Sequence, residues 1–172
     1  MYKFLGLDVD GVLTNGSIAY TDIGDECKIF NAHDGLGLNL CVRAGILVSI
    51  ITGRNSNMIY RRGEDLGIKE IYVGIRNKKR IIEKLLHNYN IKKEEAIFIG
   101  DDILDIPALE VVGFPVAVRN ACQEVKERSR YITNVDGGDG AVREVCELIL
   151  KENGVWEKTV DELLKELRTA DY

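Results

Sequence analysis

The chain has 172 residues, 45% of them apolar and 30% charged, with a formal net charge of −5. This length allows one domain of ordinary size, which buries roughly 70% of the surface of its unfolded chain and needs no disulfide bonds. The acidic balance argues against a nucleic-acid-binding protein that depends on neutralising phosphates, and no apolar run approaches the roughly 20 residues of a transmembrane helix.

The cellular compartment is predicted from the first residues and from the cysteines. Residues 1–8 include charged side chains and lack the apolar stretch of a secretory signal peptide. The chain has four cysteines with no CxxC spacing, which is typical of reduced, structural thiols. We therefore expect a cytoplasmic protein with no nucleic-acid partner and no membrane partner.

Short apolar strands alternate with amphipathic helices along most of the chain. Strands are predicted at residues 3–8, 45–52, 70–74, 96–100 and 114–118. Helices are predicted at residues 58–66, 77–89 and 121–128, where apolar side chains follow a 3.6-residue period. This alternation predicts an α/β fold with a Rossmann-like, doubly wound parallel sheet in a single domain over residues 1–154.

Two segments depart from this alternation. Residues 17–21 and 26–31 alternate apolar and polar side chains around Gly24, which predicts a β-hairpin inserted after the first strand at about residues 16–31. Beyond residue 154, a stripe of apolar side chains at helical spacing predicts a C-terminal amphipathic helix or tail over residues 155–172.

The sequence Asp8-Val9-Asp10-Gly11 is the first candidate for catalysis. It places two carboxylates directly after a buried strand, and Gly11 permits a sharp turn that would point both into one crevice. A carboxylate can attack phosphorus to form an aspartyl-phosphate, and a second acid can protonate the leaving oxygen and later activate water. Taken alone, the pair is equally compatible with an Asp-rich loop that caps a helix.

Three further segments place polar groups at or just after predicted strands, where ligands bind in open parallel sheets. Thr52 and Gly53 end the second strand with a hydroxyl and backbone N–H groups that suit phosphate oxygens, and Arg54 adds a bidentate donor for an anion. Lys78 begins a helix and can neutralise both a nucleophile and a phosphate. Asp101 follows the fourth strand with further acid.

A magnesium ion (Mg2+) would make this concentration of acids tolerable. Magnesium prefers about six oxygen ligands, supplied by one or two carboxylates together with phosphate and water. Asp8 and Asp101 suit that requirement, with the backbone carbonyl of Asp10 as a further ligand.

Together the four segments resemble, in the same order, the four motifs of the haloacid dehalogenase superfamily of phosphohydrolases over residues 4–105. The resemblance implies that Asp8 is the nucleophile and Asp10 the general acid/base. It implies that Thr52 and Lys78 stabilise the phosphate and that Asp8, Asp10 and Asp101 hold the metal. Asp105 would support the metal site from behind its ligands.

A closer resemblance covers residues 4–150. The hairpin, the sequence Phe-Asn-Ala-His-Asp-Gly at 30–35 and the glycine-rich segment 137–144 are similar to the 3-deoxy-D-manno-octulosonate 8-phosphate phosphatases. The resemblance implies a capless, magnesium-dependent homotetramer that acts on a small-molecule sugar-acid phosphate in lipopolysaccharide precursor synthesis. Hairpins of neighbouring subunits would associate, and residues 137–144 would belong to a mobile tail. The substrate contacts would be Asn31, Ala32, His33, Asp34, Gly35, Gly53, Arg54 and Arg62.

Two residues depart from this family's pattern. His33 stands where the family usually has Arg, and Asn39 stands where it usually has Arg or Lys. Both changes remove positive charge near the expected sugar-acid carboxylate, which leaves a sialic-acid-type (nonulosonate) 9-phosphate open as the substrate. A receiver-like signalling domain is the alternative from another class, but Asp10 favours turnover because it supplies a base for water. A non-catalytic partner of a cytidylyltransferase is disfavoured because every chemical position is filled.

Overall fold

The computed structural model describes residues 1–22 and 26–170. Its strands are β1 (Phe4–Leu7), β2 (Ala19–Tyr20), β3 (Glu26–Cys27), β4 (Leu47–Ile51), β5 (Glu70–Tyr72), β6 (Ala96–Gly100), β7 (Phe114–Ala117) and β8 (Tyr131–Ile132). Its α-helices are α1 (Ala32–Arg43), α2 (Asn57–Asp65), α3 (Lys78–Asn88), α4 (Ile106–Leu109), α5 (Gln123–Lys126), α6 (Ala141–Glu152) and α7 (Trp156–Thr169). Short 3-10 helices at Lys93–Glu95 and Ile103–Asp105 precede β6 and α4.

A parallel sheet of six strands in the order β5-β4-β1-β6-β7-β8 forms the centre of the molecule. Within it, Phe4 of β1 pairs with Leu47 of β4 on one side and with Ala96 of β6 on the other. The chain runs from β1 outward to β4 and β5, and then returns across β1 to build β6, β7 and β8. This reversal of strand order is a topological switch point, where open α/β sheets bind their ligands.

The strands of the sheet are apolar because helices cover them. Every residue of β1 and β6 is buried, as expected for parallel strands that have protein on both faces. The helices form groups, with α1 packed against α6 and α7, and α3 packed against α4. The predicted α/β fold with a Rossmann-like, doubly wound parallel sheet is confirmed in its parallel strands and flanking helices.

The five predicted strands and the helices at 58–66, 77–89 and 155–172 are all present, with ends within three residues of those predicted. The helix predicted at 121–128 is shorter, since only Gln123–Lys126 is helical. In the inserted segment, Ala19 pairs with Cys27 and Tyr20 with Glu26 in antiparallel register. The predicted turn around Gly24 lies outside the described residues, so the complete hairpin stays a prediction.

Helices α1 and α6 were not predicted from the sequence. Glycines interrupt the helical pattern of α1, and a glycine-rich segment precedes α6. In α1, a Cβ atom added to Gly37 would lie 3.0–3.2 Å from atoms of Arg143 and Cys146 in α6. Glycine therefore lets the two helices approach closely, although it weakens the helical signal in the sequence.

The glycine-rich segment 137–144 packs against its own chain through its buried residues Gly137, Ala141 and Val142. The N–H of Gly138 donates to the carbonyl of Val12 at 2.9 Å, and a Cβ atom on Gly137 would overlap the carbonyl of Gly11. Ala141 then begins α6 and is fully buried. The segment packs against the loop that follows β1 in its own chain, and the expectation that it belongs to a mobile tail stays a prediction.

The C-terminal helix α7 lies on the outer side of the α1 and α6 pair. Arg43 of α1 forms an ion pair with Glu166 of α7 at 2.7 Å, and the Trp156 ring lies beneath the charged groups of Arg143 and Lys151. Among residues 1–22 and 26–170, no helix combines the length and apolar character needed to cross a bilayer.

Candidate active site

The carboxyl ends of β1, β4 and β6 open into a cavity of about 650 Å3. Eight of the residues singled out from the sequence line it: Asp8, Asp10, Thr52, Gly53, Arg54, Lys78, Asp101 and Asp105. They come from four separate parts of the chain and meet because parallel strands present their carboxyl ends at one edge of the sheet. This cavity is the candidate active site.

The loop after β1 turns sharply around one carbonyl group. The N–H groups of Val12, Leu13 and Thr14 all lie within 3.2 Å of the Val9 carbonyl oxygen. Gly11 has φ of +88°, and a Cβ atom at this position would come within 2.0 Å of Oδ2 of Asp101. Glycine is required here because the first acidic segment touches the later one.

Asp8, Asp101 and Asp105 form a compact acidic cluster, in which one carboxylate oxygen from each lies within 4.8 Å of the others. Burial, together with the nearby carboxylates, raises the pKa of Asp101 to about 8 and that of Asp8 to about 6. Oδ1 of Asp101 is buried and has no hydrogen-bond partner among the described residues. An oxygen-rich, negatively charged cluster with a free buried oxygen fits a divalent ion such as magnesium.

Lys78 and Asp105 connect the parts of this cluster. Nζ of Lys78 lies 2.9 Å from Oδ1 of Asp8 and 2.6 Å from Oδ1 of Asp105. The other oxygen of Asp105 accepts the backbone N–H of Asp101 at 3.0 Å. Burial lowers the pKa of Lys78, but the two carboxylates outweigh this effect and leave the pKa above its ordinary value. Lys78 is therefore a buried ammonium ion.

Asp10 lies at the outer side of the cavity between two cations. Nζ of Lys28 is 2.5 Å from Oδ1 of Asp10, and Nε of Arg54 is 3.5 Å from Oδ2. Glu26 contacts both cations, at 3.2 Å from Lys28 and 3.3 Å from Arg54. The sequence analysis missed Glu26 and Lys28, because their positions showed only the alternation of a strand and no motif.

Hydrogen bonds from backbone N–H groups fix the strand end at Thr52. Its buried side chain accepts the backbone N–H of Arg54 at 3.2 Å, and its carbonyl accepts the N–H of Ile75 at 2.9 Å. Arg76, which the sequence analysis did not single out, also lines the cavity. It is exposed and forms no ion pair within residues 1–22 and 26–170.

The remaining predicted substrate contacts are not among the residues that line this cavity in the described part of the chain. Asn31 caps α1 by accepting the N–H of His33 at 2.8 Å, and its own amide donates to the Gly138 carbonyl at 3.3 Å. Ala32 and His33 are exposed. Arg62 donates to the Asn31 carbonyl at 3.3 Å.

Asp34 and Gly35 are buried between elements. Oδ1 of Asp34 accepts the N–H of Arg143 at 2.7 Å, near the start of α6, and burial raises the pKa of this carboxyl. A Cβ atom on Gly35 would overlap the guanidinium of Arg62. Within one chain these residues support the packing of α1. Asn39 also lies away from the cavity, where its amide is 3.5 Å from the Leu66 carbonyl.

Comparison with known proteins identifies the family. The family model for haloacid dehalogenase-like hydrolases matches residues 68–145. The 3-deoxy-D-manno-octulosonate 8-phosphate phosphatase KdsC of Salmonella typhi is 42% identical over 152 residues, which are 88% of this chain and 81% of that protein. The chain belongs to the 3-deoxy-D-manno-octulosonate 8-phosphate phosphatase family.

Solved structures of this family share its fold. The 3-deoxy-D-manno-octulosonate 8-phosphate phosphatase of Moraxella catarrhalis, in complex with magnesium, phosphate and KDO, is 41% identical, with a TM-score of 0.90 over 94% of this chain and 93% of that one. The cobalt-bound deoxy-D-mannose-octulosonate 8-phosphate phosphatase of Haemophilus influenzae is 37% identical, with a TM-score of 0.85 over 89% of this chain and 90% of that one.

Proposed function

We propose that this protein is a magnesium-dependent phosphatase that hydrolyses 3-deoxy-D-manno-octulosonate 8-phosphate by way of an aspartyl-phosphate. The observation that carries the proposal is the meeting of Asp8, Asp101 and Lys78 at the switch point of the sheet. A carboxylate nucleophile, a metal-binding acid and a buried ammonium are the groups that phosphoryl transfer to an aspartate requires. Membership of the family supports the substrate.

Asp8 is the proposed nucleophile and Asp10 the proposed general acid/base. As Asp8 forms a bond to phosphorus, the bond from phosphorus to the sugar oxygen breaks, and Asp10 gives its proton to that oxygen. Water then attacks the aspartyl-phosphate and gives a proton to Asp10. This second step releases inorganic phosphate and restores the Asp8 carboxylate.

The metal would be held by Asp8, Asp101 and the backbone carbonyl of Asp10. The side chain of Asp10 is already paired with cations, so only its carbonyl remains for this role. A bound Mg2+ would supply positive charge that offsets the repulsion between carboxylate and phosphate. Both oxygens of Asp105 are engaged by Lys78 and by the backbone of Asp101, which supports a role behind the ligands.

Thr52, Lys78 and the N–H groups near Gly53 are the proposed phosphate-stabilising groups. They lie at the ends of different elements, and Lys78 is buried and charged, so its field acts at close range on a phosphate beside Asp8. Such fixed charges stabilise a transition state because they need no rearrangement during the reaction.

The outer part of the cavity supports a substrate that carries a second negative charge. Arg54 and Arg76 line it, and Arg76 has no carboxylate partner among the described residues. A sugar-acid carboxylate at this position would form a charge-assisted hydrogen bond with a guanidinium. The cavity therefore keeps positive charge at Arg54 and Arg76, although His33 and Asn39 replace the basic residues usual in the family.

A homotetramer and a cytoplasmic location are part of the same proposal. Ile18, Tyr20 and Ile29 are exposed apolar side chains in and beside the β2 and β3 strands, which supports burial of this segment against another subunit. All four cysteines lie in the described part of the chain and are free thiols, which supports a reducing compartment. In such an assembly, residues 31–35 would contribute to a site that a neighbouring subunit completes.

The proposal is tested by measuring phosphate release with and without Mg2+. The substrate panel contains 3-deoxy-D-manno-octulosonate 8-phosphate, nonulosonate 9-phosphates and phosphates of sugars that carry no carboxylate. We expect the octulosonate ester to be hydrolysed with the highest kcat/KM and activity to disappear on chelation. Asp8→Asn should abolish turnover while circular dichroism stays unchanged. A preference for nonulosonate esters would replace the proposed substrate, and equal rates on all esters would contradict sugar-acid specificity.

A further inference from the structure

Asp10, Lys28, Glu26 and Arg54 form a closed ring of alternating charges at the outer side of the cavity. Lys28 joins Oδ1 of Asp10 to Oε1 of Glu26, and Arg54 joins Oε1 of Glu26 to Oδ2 of Asp10. The ring contains two cations and two anions and is therefore neutral. Each oxygen of Asp10 thus faces a different cation.

The two cations differ in their freedom to move. The side chain of Lys28 is 1% exposed, and its distance from Asp10 is 2.5 Å. The side chain of Arg54 is 38% exposed, and its distance from Asp10 is 3.5 Å. An ion pair that is buried and close holds its geometry, whereas an exposed and longer one exchanges readily with another anion.

We propose that Lys28 is a positioning residue that fixes Oδ1 of Asp10 and leaves Oδ2 as the oxygen that transfers the proton. The inference rests on the proposed function, in which Asp10 is the general acid/base. An anionic substrate draws Arg54 away from Oδ2, while Lys28 keeps the carboxyl group in place through Oδ1. The cycle starts from Asp10 protonated on Oδ2, which gives this proton to the sugar oxygen as its bond to phosphorus breaks and takes one back from the water that attacks the aspartyl-phosphate.

Glu26 completes the arrangement. It accepts from Lys28 at 3.2 Å and thereby keeps the ammonium directed at Asp10 after Arg54 has changed partner. Because Glu26 and Lys28 belong to the segment inserted after β1, that segment serves proton transfer within its own chain. This role is additional to any contact that it makes with another subunit.

A purely structural role for Lys28 and a positioning role predict different effects of its loss on the rates for different phosphate esters. If Lys28 only anchors the inserted segment, its loss lowers the rate for every phosphate ester by the same factor. If Lys28 positions a proton donor, its loss matters most for an ester whose leaving group needs a proton. A sugar alkoxide needs one, whereas p-nitrophenolate is a weak base and leaves readily without one.

The test measures kcat/KM of Lys28→Met on 3-deoxy-D-manno-octulosonate 8-phosphate and on p-nitrophenyl phosphate with saturating Mg2+. This ratio of constants reports the steps up to phosphorylation of Asp8. We expect the decrease in kcat/KM on the sugar ester to exceed the decrease on the aryl ester by about 10- to 100-fold, as for a misplaced catalytic group. Lys28→Arg, which keeps the charge, should recover most of the loss. Lys84→Met, an exposed lysine on α3, is the matched control.

The outcomes separate this inference from the proposed function. Equal losses on both esters, or no rescue by Lys28→Arg, would overturn the positioning role and leave the phosphatase assignment in place. A wild-type protein that hydrolyses neither ester in Mg2+ would overturn the proposed function and this inference with it. Lys28→Gln repeats the comparison if Lys28→Met proves insoluble.

Discussion

Lys78 and Asp105 form a buried ion pair in which Nζ lies 2.6 Å from Oδ1. Lys78 also contacts Asp8, and Asp105 also accepts the backbone N–H of Asp101 at 3.0 Å. The pair therefore connects the proposed nucleophile, which follows β1, to the proposed metal ligand, which follows β6. Its geometry decides how closely the two acids approach one another.

Replacing Asp105 should weaken metal binding without removing a ligand. In Asp105→Asn, the amide no longer balances the charge of Lys78 and no longer orients Asp101 through a charged acceptor. We expect the Mg2+ concentration for half-maximal activity to rise by about 10- to 100-fold, the usual effect of losing a group behind a metal ligand. Glu110→Gln, at an exposed acid nearby, should leave the titration unchanged. An unaltered Mg2+ dependence in Asp105→Asn would contradict this role.

The acidic cluster should make the metal-free protein less stable as the pH rises. The pKa of Asp8 is raised to about 6 and that of Asp101 to about 8, from ordinary values near 3.8. The folded state therefore binds more protons than the unfolded state between about pH 4 and pH 8, and the free energy of unfolding falls through that window. Differential scanning calorimetry in chelator should give a lower Tm at about pH 8.5 than at about pH 6.

Magnesium should reverse this trend because it binds the ionised carboxylates. We expect the rise in Tm on adding Mg2+ to be larger at about pH 8.5 than at about pH 6. Asp101→Asn should raise the Tm of the metal-free protein at the higher pH and abolish most of the response to Mg2+. A pH-independent response to Mg2+ would show that the cluster does not bind the ion.

Arg76 should contribute to the choice of substrate. Replacing it by Met removes a cation from the outer cavity, and we expect kcat/KM for 3-deoxy-D-manno-octulosonate 8-phosphate to fall by about tenfold relative to p-nitrophenyl phosphate, as for one lost charge-assisted contact. Arg80→Met serves as the matched control, because Arg80 is an exposed arginine of α3 outside the cavity lining. Equal changes on the two esters would show that Arg76 does not read the carboxylate.

Asp34 should stabilise the fold and not bind substrate within its own chain. It is 1% exposed, and its carboxylate accepts the Arg143 N–H near the start of α6. Asp34→Ala leaves that N–H without an acceptor and should lower the free energy of unfolding by about 1–3 kcal/mol in urea titrations. Asp34→Asn keeps an acceptor for this N–H and should lower the free energy of unfolding by less than Asp34→Ala. A raised KM in Asp34→Asn at unchanged stability would instead support a substrate contact.

The exposed side chain of Ile29 should be part of a subunit contact. It is 83% exposed beside β3, which is costly for an isoleucine in water unless another surface covers it. Ile29→Glu should shift the oligomer to smaller species in light scattering coupled to size-exclusion chromatography. Leu167→Glu, at an exposed leucine of α7, is the control that should leave the mass unchanged. A wild-type monomer would contradict the proposed tetramer.

Most of the sheet could be predicted because its signals are local. β6 is a run of five apolar or small residues with a glycine at its end, and its predicted bounds match the structure. The helix α1 could not be predicted in the same way. Gly35 and Gly37 lower its helical propensity, and the reason for them is a close approach to Arg62 and α6 that local spacing does not encode.

The amino-acid sequence alone determined which residue types follow the strands, because motifs at strand ends specify residue types and their order along the chain. The rule that parallel strands end at one edge places Asp8, Thr52 and Asp101 together, whereas the proposed roles of these residues and of Lys78 came from the family resemblance. Tertiary structure alone decided which charges neutralise one another. Lys28 meets Asp10 across 18 positions and Lys78 meets Asp105 across 27. Such pairings depend on how the inserted segment and the helices fold back, since Coulomb energy follows distance in space and not separation along the chain.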